Sequence, residues 1–212
     1  MDYETARARL IEHLRGEIGD EPVLDAMSCI PRELFVPPAE RSAAYEDRPL
    51  PIGYGQTISQ PYIIALMTSM LELTGREKVL EVGTGSGYQA AILAELAQQV
   101  VTVERLPALA ETAKLLLRRL GYKNISVRLA EPALGWQLEA PYDAIMVTAG
   151  APEIPQTLIK QLKNGGRMVI PVGSRYEQEL YRITRKKDGN VIQRMGGCRF
   201  VSLIGDEAWA DD

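Results

Sequence analysis

The sequence predicts an α/β fold: a mostly parallel central sheet with helices on both faces and a C-terminal antiparallel hairpin. Three observations carry this expectation. From Lys78 onward, short apolar runs alternate with segments of helical length, the rhythm of strands joined by crossover helices. Runs such as "KVLEV" and "QVVTVE" offer apolar side chains to both faces, as strands covered on each side do. Near the C-terminus, "EQELYRITRKKDGNVIQRMGG" alternates apolar and polar residues around Asp188-Gly189, the mark of a two-stranded hairpin.

Taken in order, Ala6, Leu10, Ile11, Leu14 and Ile18 recur at three- and four-residue steps, which predicts a helix over Tyr3–Ile18 with one buried stripe. A second short helix follows, with Asp20 as its cap and Pro22 in its first turn. The prolines and glycines of "IPRELFVPP" and "DRPLPIGYG" then break regular structure. Tyr62–Leu73 returns to helical spacing, with Ser59 as the expected cap. The strand candidates are "KVLEV", "QVVTVE", "NISVRLA", "YDAIMVTA" and "GRMVIPVG", and helices are expected at Tyr88–Leu96, Pro107–Leu120 and Glu153–Leu162. "CRFVSLIG" is expected to add a last strand. The basic run Arg185, Lys186, Lys187 reads as a solvated, protected edge.

At 212 residues the chain suits one main domain. Residues 1–212 are expected to form a single unit, with 1–60 as an N-terminal helical and loop extension and 179–205 as C-terminal strands. The 24 basic and 28 acidic residues leave a formal charge of -4, which provides no global field for nucleic acid or anionic lipid. Two cysteines, Cys29 and Cys198, make neither a disulfide framework nor a metal cluster. With no secretory leader in view they suggest a cytoplasmic, reducing compartment. His13, the only histidine, has no ligand partner at metal spacing, so no metal site is expected. No apolar window approaches the roughly 20 residues that span a bilayer. No association helix stands apart from the core, and a monomer is expected.

The chemistry concentrates in "VLEVGTGSGYQAAILAEL", Val79 to Leu96. Its glycines follow the first long apolar strand and precede a helix, the place where open parallel sheets bind ligands. Gly83 and Gly85 permit close backbone approach. Neither the triphosphate loop GxxxxGK[ST] nor the dinucleotide GxGxxG is present, since Tyr88 stands where the latter requires a third glycine. Glu81 at the strand end would oppose a phosphate, and Glu104 ends the next strand at the distance suited to ribose hydroxyls. A nucleoside bearing positive charge, such as S-adenosylmethionine, fits this pair. The competing readings are that Glu81 bonds its own turn and Glu104 caps an adjoining segment.

With those residues in view, the segment resembles the first cofactor motif of class I S-adenosylmethionine-dependent methyltransferases. "PLPIGYGQTISQP", Pro49 to Pro61, narrows the resemblance to the protein-L-isoaspartate O-methyltransferase family, as do "VLDAMSCIPRELFV", "APYDAIMVTAGAPEIP" and "LKNGGRMVIPVG". The resemblance implies a class I methyltransferase fold and methyl transfer to the free α-carboxylate of L-isoaspartyl residues in damaged proteins. It implies S-adenosyl-L-methionine as donor and S-adenosylhomocysteine as product. The ester then closes nonenzymatically to a succinimide. The resemblance assigns Ser59 to catalysis, with Thr57 and Ile58 lining the site, and Arg199 and Val201 of "RFVSL" near the peptide. Glu81, Gly83, Thr84, Gly85, Glu104 and Glu131 fall on cofactor positions. One departure stands out: Ala130, Glu131 and Pro132 replace the family's usual Gly-Asp-Gly.

The chemistry agrees with this inventory. An α-carboxylate, with a reference pKa of about 3.3 to 3.7, is ionised near neutral pH and needs no general base. Catalysis can then come from alignment, worth as much as about 7 to 11 kcal/mol in well-oriented systems. Ser59 would orient the acceptor through a hydrogen bond, without a covalent intermediate, or would merely cap its helix. Two other readings compete with isoaspartyl methylation. One is a class I methyltransferase acting on a small molecule or RNA, and the other is a nucleoside-binding module with weakened catalysis.

Overall fold

A computed structural model gives the structure of the chain and describes residues 2–211. Helix α1 (Tyr3–Arg15) starts where the Asp2 carboxylate accepts the Glu4 and Thr5 amides, and it buries Leu10, Ile11 and Leu14. It stops short of the expected Ile18, which is buried beyond the helix end. Helix α2 (Glu21–Cys29) begins as expected, with Asp20 accepting the Val23 amide at 3.3 Å. Two short 3-10 turns, Arg32–Phe35 and Pro38–Ala43, carry the chain through its proline-rich stretch.

The segment expected to be irregular contains a small hairpin. Strands β1 (Leu50–Gly53) and β2 (Gln56–Ile58) pair antiparallel around Tyr54-Gly55. The apolar/polar alternation is real there but only three or four residues long, and prolines mask it.

Helix α3 (Pro61–Ser69) corrects the expected cap. Gln60 holds the N-cap position without a side-chain bond. The exposed helix-start amide of Tyr62 is instead accepted at 2.8 Å by Asp47, from the preceding loop. A long-range carboxylate has taken the role that local spacing assigned to Ser59. The helix also ends before Leu73, where Glu72 adopts a φ of 49°.

The central sheet comprises β3 (Lys78–Val82), β4 (Gln99–Glu104), β5 (Ile125–Leu129), β6 (Tyr142–Val147), β7 (Leu162–Gly173), β8 (Gln178–Lys186) and β9 (Gly189–Cys198). Its order is β5-β4-β3-β6-β7-β8-β9. The pairs from β5 to β7 are parallel, and β8 and β9 add antiparallel, as the sequence predicts. Crossovers use α4 (Tyr88–Leu96), α5 (Pro107–Arg119) and α6 (Gln156–Gln161). The last begins only after Pro155, later than expected, because two prolines precede it.

Alternation along each strand feeds both faces. Leu80, Val101, Ile145 and Met168 join one core layer, while Val79, Val100, Ala144 and Val169 join the other. The N-terminal helices share a third cluster with α4 and α5, in which Leu24, Ala91 and Leu117 take part. Because β4 and β6 flank β3 and are reached by connections running in opposite directions, the carboxyl ends of these strands form the switch point at which such sheets bind ligands.

The expected strand "CRFVSLIG" does not form as a continuous element. Past Cys198 the Phe200 amide bonds to the Gln178 side chain at 2.8 Å, so a side chain replaces the ladder. The chain then folds back to Gly150, whose amide donates to Val201 and whose carbonyl accepts from Leu203. Only isolated bridges remain, at Ser202 and Ile204.

Candidate active site

The glycine loop leaves β3 between the ends of β4 and β6. Gly83 has a φ of +104°, and a Cβ there would lie 2.3 Å from the Thr148 Oγ1. That hydroxyl donates to the Gly83 carbonyl at 2.7 Å. Glycine is therefore required by both conformation and space. The Gly83 and Thr84 amides both donate to the Val103 carbonyl, so the first turn of the loop is locked to β4.

Glu104 ends β4 and is 6% exposed. One oxygen accepts the Gly85 amide at 2.8 Å and the other accepts the Leu106 amide at 3.0 Å. Each oxygen keeps a further lone pair, so the carboxylate braces the loop and still offers acceptors to the cavity it faces.

Glu81 behaves differently from its expected role. It is the register partner of Thr102, so both side chains leave the same face of the sheet, and the Thr102 hydroxyl bonds to Glu81 Oε2. Thr102 also bonds to the Thr84 hydroxyl at 2.6 Å. Glu81 is 0% exposed, and its Oε1 has no partner among the described residues. Burial pushes its carboxyl up to about 8, with Thr102 opposing the rise and Glu104 adding to it. Burial therefore favours its neutral form, and the side chain sits behind the loop and off the cavity lining.

A cavity of about 680 Å³ opens at these strand ends, within the range of about 300 to 1,000 Å³ for small-molecule sites. Thr57, Gly83, Gly85, Glu104, Glu131, Arg199 and Val201 line it. Of the other expected site residues, Ile58, Ser59, Glu81 and Thr84 do not. Ile58 is buried under the hairpin and Thr84 is turned toward Thr102. Ser59 is half-buried, two residues beyond the lining residue Thr57. At the substituted position the Ala130 amide continues the ladder to Glu104, and the Pro132 carbonyl accepts the Asp206 amide at 3.0 Å. Glu131 is left exposed on the cavity wall.

Sequence reasoning missed several lining residues. Thr148 follows β6, where the sequence predicts the tail of a strand. Arg105 and Asp211, both in the cavity lining, pair at 2.9 Å, and the guanidinium of Arg175 lies 4.9 Å from the centre of the Trp209 ring. Nothing local marks these contacts, because each joins residues far apart in the chain. Among the described residues no cluster of three or more His, Cys, Asp or Glu could hold a metal ion, and no helix is long and apolar enough to cross a membrane.

The cavity suits S-adenosylmethionine in kind: a glycine turn with no room for a side chain at Gly83, a braced carboxylate at Glu104 and apolar walls at Leu134 and Val103. The family model for protein-L-isoaspartate(D-aspartate) O-methyltransferase matches residues 5–208. The chain belongs to that family. A protein-L-isoaspartate O-methyltransferase from Geobacter metallireducens is 52% identical over 215 residues, covering 100% of each chain. A solved protein-L-isoaspartate O-methyltransferase superposes with a TM-score of 0.86 at 32% identity, covering 95% of this chain and 67% of that one. A Plasmodium falciparum structure holding S-adenosyl-L-homocysteine gives 0.82 at 27% identity, covering 97% of this chain and 100% of that one. Members of the family transfer a methyl group from S-adenosylmethionine to isoaspartyl carboxylates, and this chain is an enzyme of that kind.

Proposed function

We propose the following division of labour for methylation of the free α-carboxylate of L-isoaspartyl residues. Gly83, Gly85 and Glu104 hold the donor, with Glu131 on the same wall. Glu81 and Thr84 shape the loop from behind and touch no ligand. The single observation that carries this assignment is the Glu104 carboxylate, bonded to the Gly85 and Leu106 amides and facing the cavity.

When bound, S-adenosylmethionine supplies an electrophilic methyl carbon on a sulfonium. The protein's own work is alignment and enclosure. The hairpin of β1 and β2 brings Thr57 to the cavity lining, and buried Ile58 anchors it. Ser59 orients the acceptor carboxylate with its hydroxyl, which the α3 cap leaves uncommitted because Asp47 fills that role. A neutral donor holds an oxygen anion without quenching its nucleophilicity as a fixed cation would. Arg199 adds positive potential for an anionic acceptor, and Val201 packs beside it on the same segment. A proton acceptor is not required, since the acceptor is already ionised.

The whole chain acts as one domain, as a monomer in the cytoplasm, on protein and peptide substrates and without nucleic acid. The charge of -4 supports the last point. The Ser59 assignment is tested with S59A, assayed on isoaspartyl peptide at saturating donor. Turnover should fall about 10- to 100-fold, as expected when a reacting group is misplaced, with the melting temperature retained. Unchanged turnover would remove the hydroxyl from the mechanism.

A further inference from the structure

Arg32 is 0% exposed, in the first 3-10 turn and away from the cavity lining. Its Nε donates to the Ala44 carbonyl and its Nη2 to the Ser59 carbonyl, each at 2.8 Å. The third nitrogen, Nη1, is buried with no partner among the described residues. Burial lowers the pKa of the guanidinium, while Tyr88, Tyr45 and Asp47 oppose that shift. The guanidinium carbon lies 5.0 Å from the centre of the Tyr88 ring, and Tyr88 opens α4 immediately after Gly87 of the donor loop.

A buried cation is a poor way to gain stability, because well-packed apolar residues often do as well or better. The two carbonyls it holds explain its presence more directly. Ala44 and Ser59 stand at the two ends of the segment that contains β1, β2 and Thr57. Arg32 therefore ties the neck of this loop with two arms of one rigid fork and rests the fork on the first residue of α4. Lysine gathers its three donors on one nitrogen and cannot reproduce two bonds from separate nitrogens of a planar fork. Asp47 secures the next residues, accepting from Gln60 Nε2 at 2.9 Å and from the Tyr62 amide at 2.8 Å.

We propose that Arg32 is a positioning residue for methyl transfer: it clamps the Ala44–Ser59 loop at its neck and sets that loop at a fixed separation from the glycine loop. The proposal rests on the assignment of Ser59 and its loop to the acceptor side. It acts through the loop, since Arg32 touches neither ligand.

The test compares R32K, R32M, S59A and R32K/S59A. Turnover of an isoaspartyl peptide at saturating donor is read beside S-adenosylhomocysteine affinity by calorimetry, hydrogen exchange over residues 44–59, and thermal melts. R32M removes a buried charge and can fail to fold, so R32K is the deciding variant. R32K should lose about 10- to 100-fold in turnover, exchange faster over 44–59, and bind S-adenosylhomocysteine as the wild type does. In the S59A background the same change should cost no more than about a further twofold, the limit expected of sites acting through one group. Normal turnover in R32K with impaired S59A would overturn the Arg32 proposal and leave the Ser59 assignment standing. Fully multiplicative losses would reduce Arg32 to a structural brace and overturn it equally. A silent S59A would remove the acceptor-loop assignment itself, and the Arg32 proposal with it.

Discussion

Glu104 Oε2 accepts the Gly85 amide at 2.8 Å, which makes the acid at the end of β4 part of the glycine loop's own architecture. Its other oxygen is engaged by Leu106 at 3.0 Å. Glu104→Gln keeps the size but turns one acceptor into a donor facing an N–H. Leaving such a buried group unsatisfied costs about 1 to 3 kcal/mol. S-adenosylmethionine affinity should fall by roughly 10- to 100-fold in calorimetry, while the fold persists. Wild-type affinity in E104Q would show that the carboxylate does not brace the donor site.

The contact between Gly83 and Thr148 makes a stability prediction. Alanine at 83 would need a φ of +104° and would collide with a hydroxyl 2.3 Å from its Cβ. Strain of this kind costs about 1 to 3 kcal/mol. Gly83→Ala should lower the unfolding free energy measured in urea by that amount and weaken donor binding. The double variant G83A/T148A removes the collision and should recover part of the stability. No recovery would mean that backbone strain alone sets the cost.

Glu81 predicts a pH dependence. Its carboxyl has an ordinary value of 4.5 and sits at about 8 in the folded protein. Between those values the folded state binds more protons than the unfolded one, so stability falls as pH rises. Below the window both states are protonated and the penalty is absent; above it the penalty is complete. A single site contributes at most about 1.4 kcal/mol per pH unit. Chemical denaturation across about pH 5 to 8 should show a shallower decline in Glu81→Gln than in the wild type. Parallel profiles would contradict the assignment of a neutral, buried acid.

Much of the fold was legible in the sequence because its signals are local. The apolar runs of β3, β4 and β6 and the alternation of β8 and β9 state their own burial, and Asp2 and Asp20 cap helices within three residues. The glycine loop and Glu104 were legible for the same reason: position after a strand fixes where they point. The surroundings of Glu81 are not legible locally, because its facing direction depends on pairing with Thr102, in another strand. Ser59 was assigned the helix cap because nearness in sequence hides Asp47, which reaches Tyr62 from a separate loop. Arg32, Thr148 and Arg105 carry no local signal, since their contacts exist only once distant segments meet.

The most direct test of the account is methyl ester formation on two peptides that differ only in an isoaspartyl or an aspartyl linkage, with labelled S-adenosylmethionine as donor. Label is expected on the isoaspartyl peptide and essentially none on its aspartyl counterpart. Equal labelling of the two, or labelling of neither while the donor still binds, would contradict it.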